Sequence, residues 1–343
     1  MTIALDATYS LGKDLSGVGV YSREILFGLA RSCPDAQFLW HYRPHRFFRS
    51  FLERAPDNCR RRLLREDRST SADVFHGLNQ RLPRARWRRA VATFHDLFVL
   101  TGDYSTSEFR CRFAAQARDA ADRADLIIAV SEFTARQVAD LLAVERGKIH
   151  VIHHGVRFPP SGSPQLARER IILHVGAIQK RKNIRRLVEA FERAGKDWRL
   201  LLAGSSGYGA GEILRRIEES PRREAIELLG HVPDEDLPGL YARASVFAFP
   251  SLDEGFGMPV LEAMAAGLPV ISSNRSALPE VCGSAALLVD PNDVEALAQA
   301  LARLTSDESL RSELAERGRA RARLFSWDAA VQRTLDVYRR LLS

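Results

Sequence analysis

Short apolar runs alternate with longer amphipathic stretches along this chain, and the alternation is broken once, near the middle. Runs rich in β-formers fall at residues 2–5, 37–40, 74–76, 89–94, 126–130 and 149–152. Helical periodicity fills the gaps, for example at 21–31, 106–123 and 134–142. Residues 157–165, Arg-Phe-Pro-Pro-Ser-Gly-Ser-Pro-Gln, then read as a linker. A second alternation follows, with strands expected at 171–175, 199–203, 226–228, 246–249, 270–272 and 286–289. Strand and helix in regular turn argue for parallel sheets. The expected fold class is therefore α/β, with two Rossmann-like domains and a cleft between them. A length of 343 residues suits two such domains better than one.

Composition narrows the class. A hydrophobic content of 45% with 27% charge is that of an ordinary globular chain. No apolar run approaches the roughly 18 residues of a membrane span. Met1-Thr2-Ile3-Ala4-Leu5-Asp6 reads as a first strand, not a leader, so the cytoplasm is the expected compartment. Cys33, Cys59, Cys111 and Cys282 are too scattered for a metal cluster and read as free thiols. The charge is uneven. Residues 1–158 hold 25 Lys and Arg against 18 Asp and Glu, while residues 159–343 hold 25 of each. Residues 41–89 alone hold 14 against 5, with aromatic residues interleaved. Such a patch suits anionic lipid headgroups or a diphosphate-bearing ligand. It carries no nucleic-acid module, so a membrane surface ranks first and no nucleic-acid partner is expected.

The densest site signal runs from Pro250 to Gly267. The strand ending at Phe249 is followed by Glu254-Gly255-Phe256-Gly257-Met258-Pro259, and Glu262 lies eight residues after Glu254. Proline at a first helical turn marks the helix start. One carboxylate should sit in the strand-to-helix loop and the other about a turn into the helix. The amides of Gly255, Phe256, Gly257 and Met258 lie between them. Helix N-termini attract anions, and carboxylates suit sugar hydroxyls, so a ligand with both phosphate and sugar parts matches.

With these residues in place the chain resembles the family-4 retaining glycosyltransferases of the GT-B fold. The spaced pair Glu254 and Glu262 is joined, in chain order, by Gly17-Val18-Gly19-Val20-Tyr21, Phe94-His95-Asp96, Val130-Ser131-Glu132, Gly155-Val156, Val175-Gly176 with Arg181-Lys182-Asn183, Leu202-Ala203-Gly204 and Leu229-Gly230-His231-Val232. Within that family it looks most like bacterial mannosyl- and rhamnosyltransferases of surface polysaccharide synthesis. The resemblance implies domains at 1–158 (acceptor) and 166–325 (donor), with a C-terminal helix at about 326–343 crossing back onto the first. It implies a nucleoside-diphosphate sugar as donor substrate, GDP-mannose first, and no cofactor. The acceptor would be a saccharide, free or on a lipid diphosphate.

The implied roles follow residue by residue. Glu254 would bind hydroxyls of the transferred sugar and Glu262 the donor ribose. Lys182, helped by Arg181 and the Gly255–Met258 amides, would hold the diphosphate. Gly204 and the Val232 backbone would flank the base. His95 would face the sugar, and Gly17 and Gly19 would let the backbone approach the ligand. The chain departs from the pattern at one point: Ala177 follows Gly176, where many relatives carry arginine. Arg181, Lys180 or backbone amides would then supply that charge.

Other readings are weaker on the residues themselves. Gly17 and Gly19 do not complete a dinucleotide fingerprint, because position 22 is Ser. Asp234-Glu235-Asp236 reads as the acidic start of a helix, with Leu237, Leu240 and Tyr241 as its apolar face, so no metal is expected. His153-His154 reads as structural, since neighbours on a strand point to opposite faces. Ser131 reads as a helix N-cap. A nucleotide-sugar epimerase on the same fold and a non-enzymatic basic scaffold are the alternatives.

Overall fold

The computed structural model describes residues 1–157 and 167–343. The expected linker, apart from Arg157, and the boundaries at 158 and 166 lie outside the described residues. The chain divides into two compact units. One comprises Met1–Gly102, Thr106–Gly155 and Ser326–Ser343; the other comprises Asp103–Ser105 and Val156–Phe325.

The first unit contains, in order, β1 (Thr2–Asp6), α1 (Gly17–Ser32), β2 (Gln37–Tyr42), α2 (Pro44–Phe47), β3 (Cys59–Leu63), β4 (Val74–Gly77) and β5 (Ala90–Phe94). Then come α3 (Phe98–Thr101), α4 (Ser107–Arg123), β6 (Leu126–Ala129), α5 (Glu132–Leu142) and β7 (Ile149–Val151). Among the described residues its sheet has the order β3-β2-β1-β4-β5-β6-β7, with every pairing parallel. Strands β4, β5 and β6 are buried throughout, which is why they read as mostly apolar runs, with His76 and Thr93 as buried polar exceptions.

Two elements differ from the sequence reading. Strand β3, Cys-Arg-Arg-Arg-Leu, was not expected, because three arginines hide any apolar alternation. It forms at the sheet edge against β2, where only Cys59 is buried. Helix α1 starts at Gly17 instead of Tyr21. Ser16 caps it by accepting from the Gly19 amide at 3.3 Å, so the Gly-Val-Gly run is a first helical turn.

The second unit follows the same logic. Its elements are β8 (Ile171–Val175), α6 (Ile184–Phe191), β9 (Arg199–Ala203), α7 (Ala210–Glu218), β10 (Ile226–Gly230), α8 (Leu237–Arg243) and β11 (Val246–Phe249). They continue with α9 (Met258–Ala265), β12 (Val270–Ser273), α10 (Leu278–Cys282), β13 (Ala286–Val289), α11 (Val294–Ser306) and α12 (Glu308–Ala322). The parallel sheet runs β10-β9-β8-β11-β12-β13. Ile172, Leu200, Leu202, Val246, Ala248 and Ile271 line its interior and pack against apolar residues of α6 and α11, such as Leu187 and Leu301. Strand order reverses between β8 and β11, the point at which an open sheet of this kind takes its ligands.

After the second unit the chain enters α13 (Trp327–Leu342), which packs in the first unit against α1. A Cβ on Gly28 of α1 would lie 2.4 Å from Cγ2 of Val331, and one on Gly155 would lie 2.2 Å from the Trp327 amide nitrogen. Those two glycines allow the helix to seat. A buried polar chain ties it down. The Tyr338 hydroxyl meets Nδ1 of His76 at 2.6 Å, Nε2 of His76 meets the Thr93 hydroxyl at 2.8 Å, and Thr93 meets the Tyr21 hydroxyl at 2.9 Å.

Burial also sets the protonation of the interior histidines. It lowers His76 to about 3, and His41, His95 and His174 to about 4, from the usual 6.5. The folded state therefore binds fewer protons than the unfolded chain below the ordinary histidine value. This stability is fully present above about pH 6.5 and is lost as pH falls towards 4, at up to about 1.4 kcal/mol per pH unit for each histidine. Urea unfolding at pH 8 and pH 5.5 should show a clearly lower midpoint at the acid value. Equal midpoints would contradict neutral buried imidazoles.

Candidate active site

Residues 176–183 connect β8 to α6. Lys180–Lys182 form a 3-10 turn, and Asn183 adopts the left-handed conformation at φ 60 just before α6. Its side-chain amide donates to the Pro250 carbonyl at 3.1 Å and the Pro291 carbonyl at 2.6 Å. The Leu252 amide donates to the Arg181 carbonyl at 2.8 Å. The loop after β8 is thus fastened to the loop after β11, and two neighbouring side chains of the first are brought to one of the second, 72 residues on.

Those three are Arg181, Lys182 and Glu254. Lys182 Nζ donates to Oε1 of Glu254 at 2.6 Å, and Arg181 Nη1 lies 2.8 Å from Oε2. Arg181 also donates to the Asp253 carbonyl. All three are buried, at 7–8% exposure. Lys182 Nζ lies 4.6 Å from the centroid of the Phe249 ring. Burial alone would raise the Glu254 carboxyl, but Arg181 and Lys182 outweigh it and hold it down at about 2. The carboxylate is ionised at any physiological pH. Lys182 and Arg181 thus bring two fixed, dry cations to the one carboxylate of Glu254, with Asp253 buried beside them.

Glu262 lies on α9, where Met258 and Pro259 open the helix and Gly257, at φ 106, caps it. A Cβ on Gly257 would meet Cδ2 of Leu278 at 2.7 Å, so glycine is required twice over. Gly255 and Phe256 are buried, and Phe256 packs edge-on to Phe325 with ring centroids 5.9 Å apart. Tyr241 of α8 donates its hydroxyl to Oε2 of Glu262 at 2.8 Å. The sequence pattern placed Tyr241 on an apolar helix face, and its ring is indeed buried. Its role toward Glu262 was invisible because the two residues sit on different helices. Burial pushes the Glu262 carboxyl up, and nearby Asp234 adds to that, against the Tyr241 hydrogen bond.

The glycines receive structural explanations. A Cβ on Gly204 would fall 2.0 Å from the Gly176 carbonyl oxygen, so Gly204 lets the ends of β8 and β9 touch. Its amide donates to the Gly230 carbonyl at 2.7 Å, and Val232 follows two residues later, half-buried. A Cβ on Gly19 would meet the Tyr9 carbonyl oxygen at 2.9 Å, a constraint on how α1 packs against the 3-10 turn at Thr8–Ser10. Asp234 and Glu235 precede α8 and Asp236 is its N-cap residue. No group of three or more His, Cys, Asp or Glu suited to a metal occurs among the described residues.

His95, Gly17 and Gly19 belong to the first unit. His95 Nε2 donates to the Leu78 carbonyl at 3.0 Å, leaving Nδ1 as the acceptor of a neutral ring. The ring is buried, edge-on to Tyr21 at 4.7 Å and stacked with His154 at 5.4 Å. His154 contacts Tyr21 and Trp327 in the same aromatic group. Ser131 caps α5, accepting from the Thr134 amide at 2.9 Å.

Two Rossmann-like units in one chain, the second with a cationic cradle at its strand-order reversal, are the GT-B architecture, and this chain is a glycosyltransferase of that class. Residues 162–321 match the family model for glycosyl transferases group 1, and residues 16–158 match that for glycosyltransferase family 4. The chain belongs to this family. The O-antigen chain mannosyltransferase B of Escherichia coli is 37% identical over 284 residues, which are 78% of this chain and 74% of that protein. The serotype-specific mannosyltransferase WbdA of Escherichia coli is 28% identical over 74% of this chain, which spans 34% of that longer protein. Sucrose-phosphate synthase from Thermosynechococcus elongatus has the same fold, with a TM-score of 0.80 over 100% of this chain and 99% of its own at 24% identity.

Glu254→Ala would leave Lys182 and Arg181 buried without their anion. The expected loss is about 3–5 kcal/mol in urea unfolding at pH 7, with Glu254→Gln milder. A loss below about 1 kcal/mol would mean the pairs are already solvated.

Proposed function

We propose that this glycosyltransferase moves a mannosyl group from GDP-mannose to a growing saccharide of a bacterial surface polysaccharide. The observation that carries the proposal is the buried cradle of Lys182 and Arg181 on Glu254. The mannosyl donor and polysaccharide acceptor rest on the likeness to the O-antigen chain mannosyltransferase. On this reading the second unit takes the donor and the first takes the acceptor, free or on a lipid diphosphate.

The chemistry follows from charge. Breaking the anomeric C–O bond sends the electron pair to the β-phosphate of the leaving nucleotide. Preorganised cations lower that barrier most when they are already dry and fixed. Lys182 and Arg181 meet this requirement, and Arg181 supplies a second cation in a loop where Ala177 cannot. The Gly255–Met258 amides at the start of α9 add partial positive charge. A leaving group so neutralised needs no metal ion. Glu254, ionised and weakly basic, accepts hydrogen bonds from hydroxyls of the transferred sugar and is a poor general base. Glu262, steadied by Tyr241, accepts from the ribose. Gly204 and Val232 border the base.

Retention on this reading needs no covalent sugar–enzyme intermediate. The acceptor hydroxyl attacks on the face the phosphate leaves, and its proton passes to the departing phosphate oxygen. His95, as a neutral imidazole, serves as a hydrogen-bonding group in the transfer step. An epimerase would use the same fold without an acceptor, and a scaffold would not need a cradle with all its charges intact. Neither alternative draws support from the relatives.

Thermal unfolding in the presence of GDP, UDP, dTDP or ADP, with and without EDTA, tests the donor assignment. A ligand that binds only the native state raises Tm with occupancy. GDP should raise it most, and EDTA should leave the shift unchanged. A larger shift with another nucleotide would replace the base, and a shift abolished by EDTA would overturn metal independence.

A further inference from the structure

The basic segment at 41–89 is narrower in three dimensions than in sequence. Arg43 and Arg81 both pair with Glu66, at 2.8 and 3.0 Å, and Arg88 pairs with Asp73 at 3.2 Å. These arginines are spent on internal partners. What stands out in the segment is the tip formed by α2 and the 3-10 turn Phe48–Leu52. Here Phe48 and Leu52 are each 83% exposed and Phe51 is 59% exposed.

Three large apolar side chains on one five-residue turn are not a casual exposure. Residues three or four apart on such turns share a side. Phe47 supports two of them from beneath, with ring centroids 5.7 Å from Phe48 and 5.5 Å from Phe51. The tip is firmly held. Arg61 of β3 donates to the Ser50 carbonyl at 3.1 Å and to the Glu53 carbonyl, and its guanidinium lies 5.1 Å from the Phe51 ring centroid. The only acid of the turn region, Glu53, is drawn aside to Arg23 at 3.4 Å and the Gly12 amide at 3.3 Å. Arg46, Arg49 and Arg54 flank the apolar side chains with no carboxylate partner among the described residues.

We propose that residues 44–54 form a membrane-surface anchor, with Phe48, Phe51 and Leu52 entering the headgroup boundary of an anionic phospholipid bilayer and Arg46, Arg49 and Arg54 meeting its phosphates. A stable protein–protein interface buries about 1,200–2,000 Å² and engages about 20–30 residues a side, whereas the tip spans residues 44–54. A shallow bilayer contact needs only a few apolar side chains reinforced by cations. The inference does not depend on the donor or acceptor assignments.

Co-sedimentation with vesicles of phosphatidylcholine alone, or with about a third phosphatidylglycerol, tests it. The full chain should pellet with the anionic vesicles, much less with neutral ones, and detach in high salt. Phe48→Ser with Leu52→Ser, and separately Arg46→Glu with Arg49→Glu, should each weaken binding by at least about tenfold. Neither pair should change nucleotide-induced stabilisation or lower Tm appreciably, because Phe48 and Leu52 are largely exposed and Phe47 keeps its contact with Phe51. No binding of the unaltered chain, or equal binding by both variants, would overturn the proposal. Self-association in the ultracentrifuge that the Phe48→Ser, Leu52→Ser pair abolishes would overturn it too, by assigning the tip to a second copy.

Discussion

Two cations buried against one carboxylate organise the second unit. Lys182 and Arg181 come from the loop after β8, and Glu254 comes from the loop after β11, 72 residues later. Neither charge type would be tolerated alone at such burial. Asn183 bridges the same two loops by donating to two carbonyls, at 3.1 and 2.6 Å. The loops are therefore held by bonds that do not rely on the charges. A frame of that kind lets the cations exchange one anion for another without the loops coming apart. This is the property that a site for a leaving diphosphate requires.

The first unit is organised differently. Its interior relies mainly on neutral hydroxyls and imidazoles, alongside the buried pair of Arg43 with Asp6 at 3.5 Å. Tyr21, Thr93, His76 and Tyr338 form one buried chain through α1, β5, β4 and α13. His95 and His154 stack beside it at 5.4 Å. Burial keeps these rings uncharged, which makes them hydrogen-bonding groups and not proton carriers at neutral pH. The last helix is part of this interior, so the chain's two ends of the first unit are joined by packing even though the second unit intervenes in sequence.

Legibility in the sequence tracked burial. Strands such as β6 and β11 are apolar along their whole length because both faces are covered, and they are readable at once. Edge strand β3 was not, since its arginines answer to solvent. The start of α1 was misplaced because Gly17-Val18-Gly19 looks like a loop until Ser16 is seen to cap it. Lys182, Arg181, Glu254 and Glu262 were each visible as motif residues. That the first three bind one another, and that Tyr241 holds the fourth, depends on loops and helices that only the fold brings together. Two glycines of the motifs also have steric reasons of their own: a Cβ on Gly204 would strike the Gly176 carbonyl, and one on Gly19 would strike that of Tyr9.

The central claim is that Lys182 and Arg181, in company with Glu254, receive the diphosphate of the donor. Titration calorimetry of GDP against GMP, on the unaltered chain and on Lys182→Ala, addresses it most directly. The extra phosphate should strengthen binding at least about tenfold in the unaltered chain, and that advantage should vanish in the variant. If Lys182→Ala keeps the full preference for GDP over GMP, the cradle does not hold the diphosphate and the site lies elsewhere.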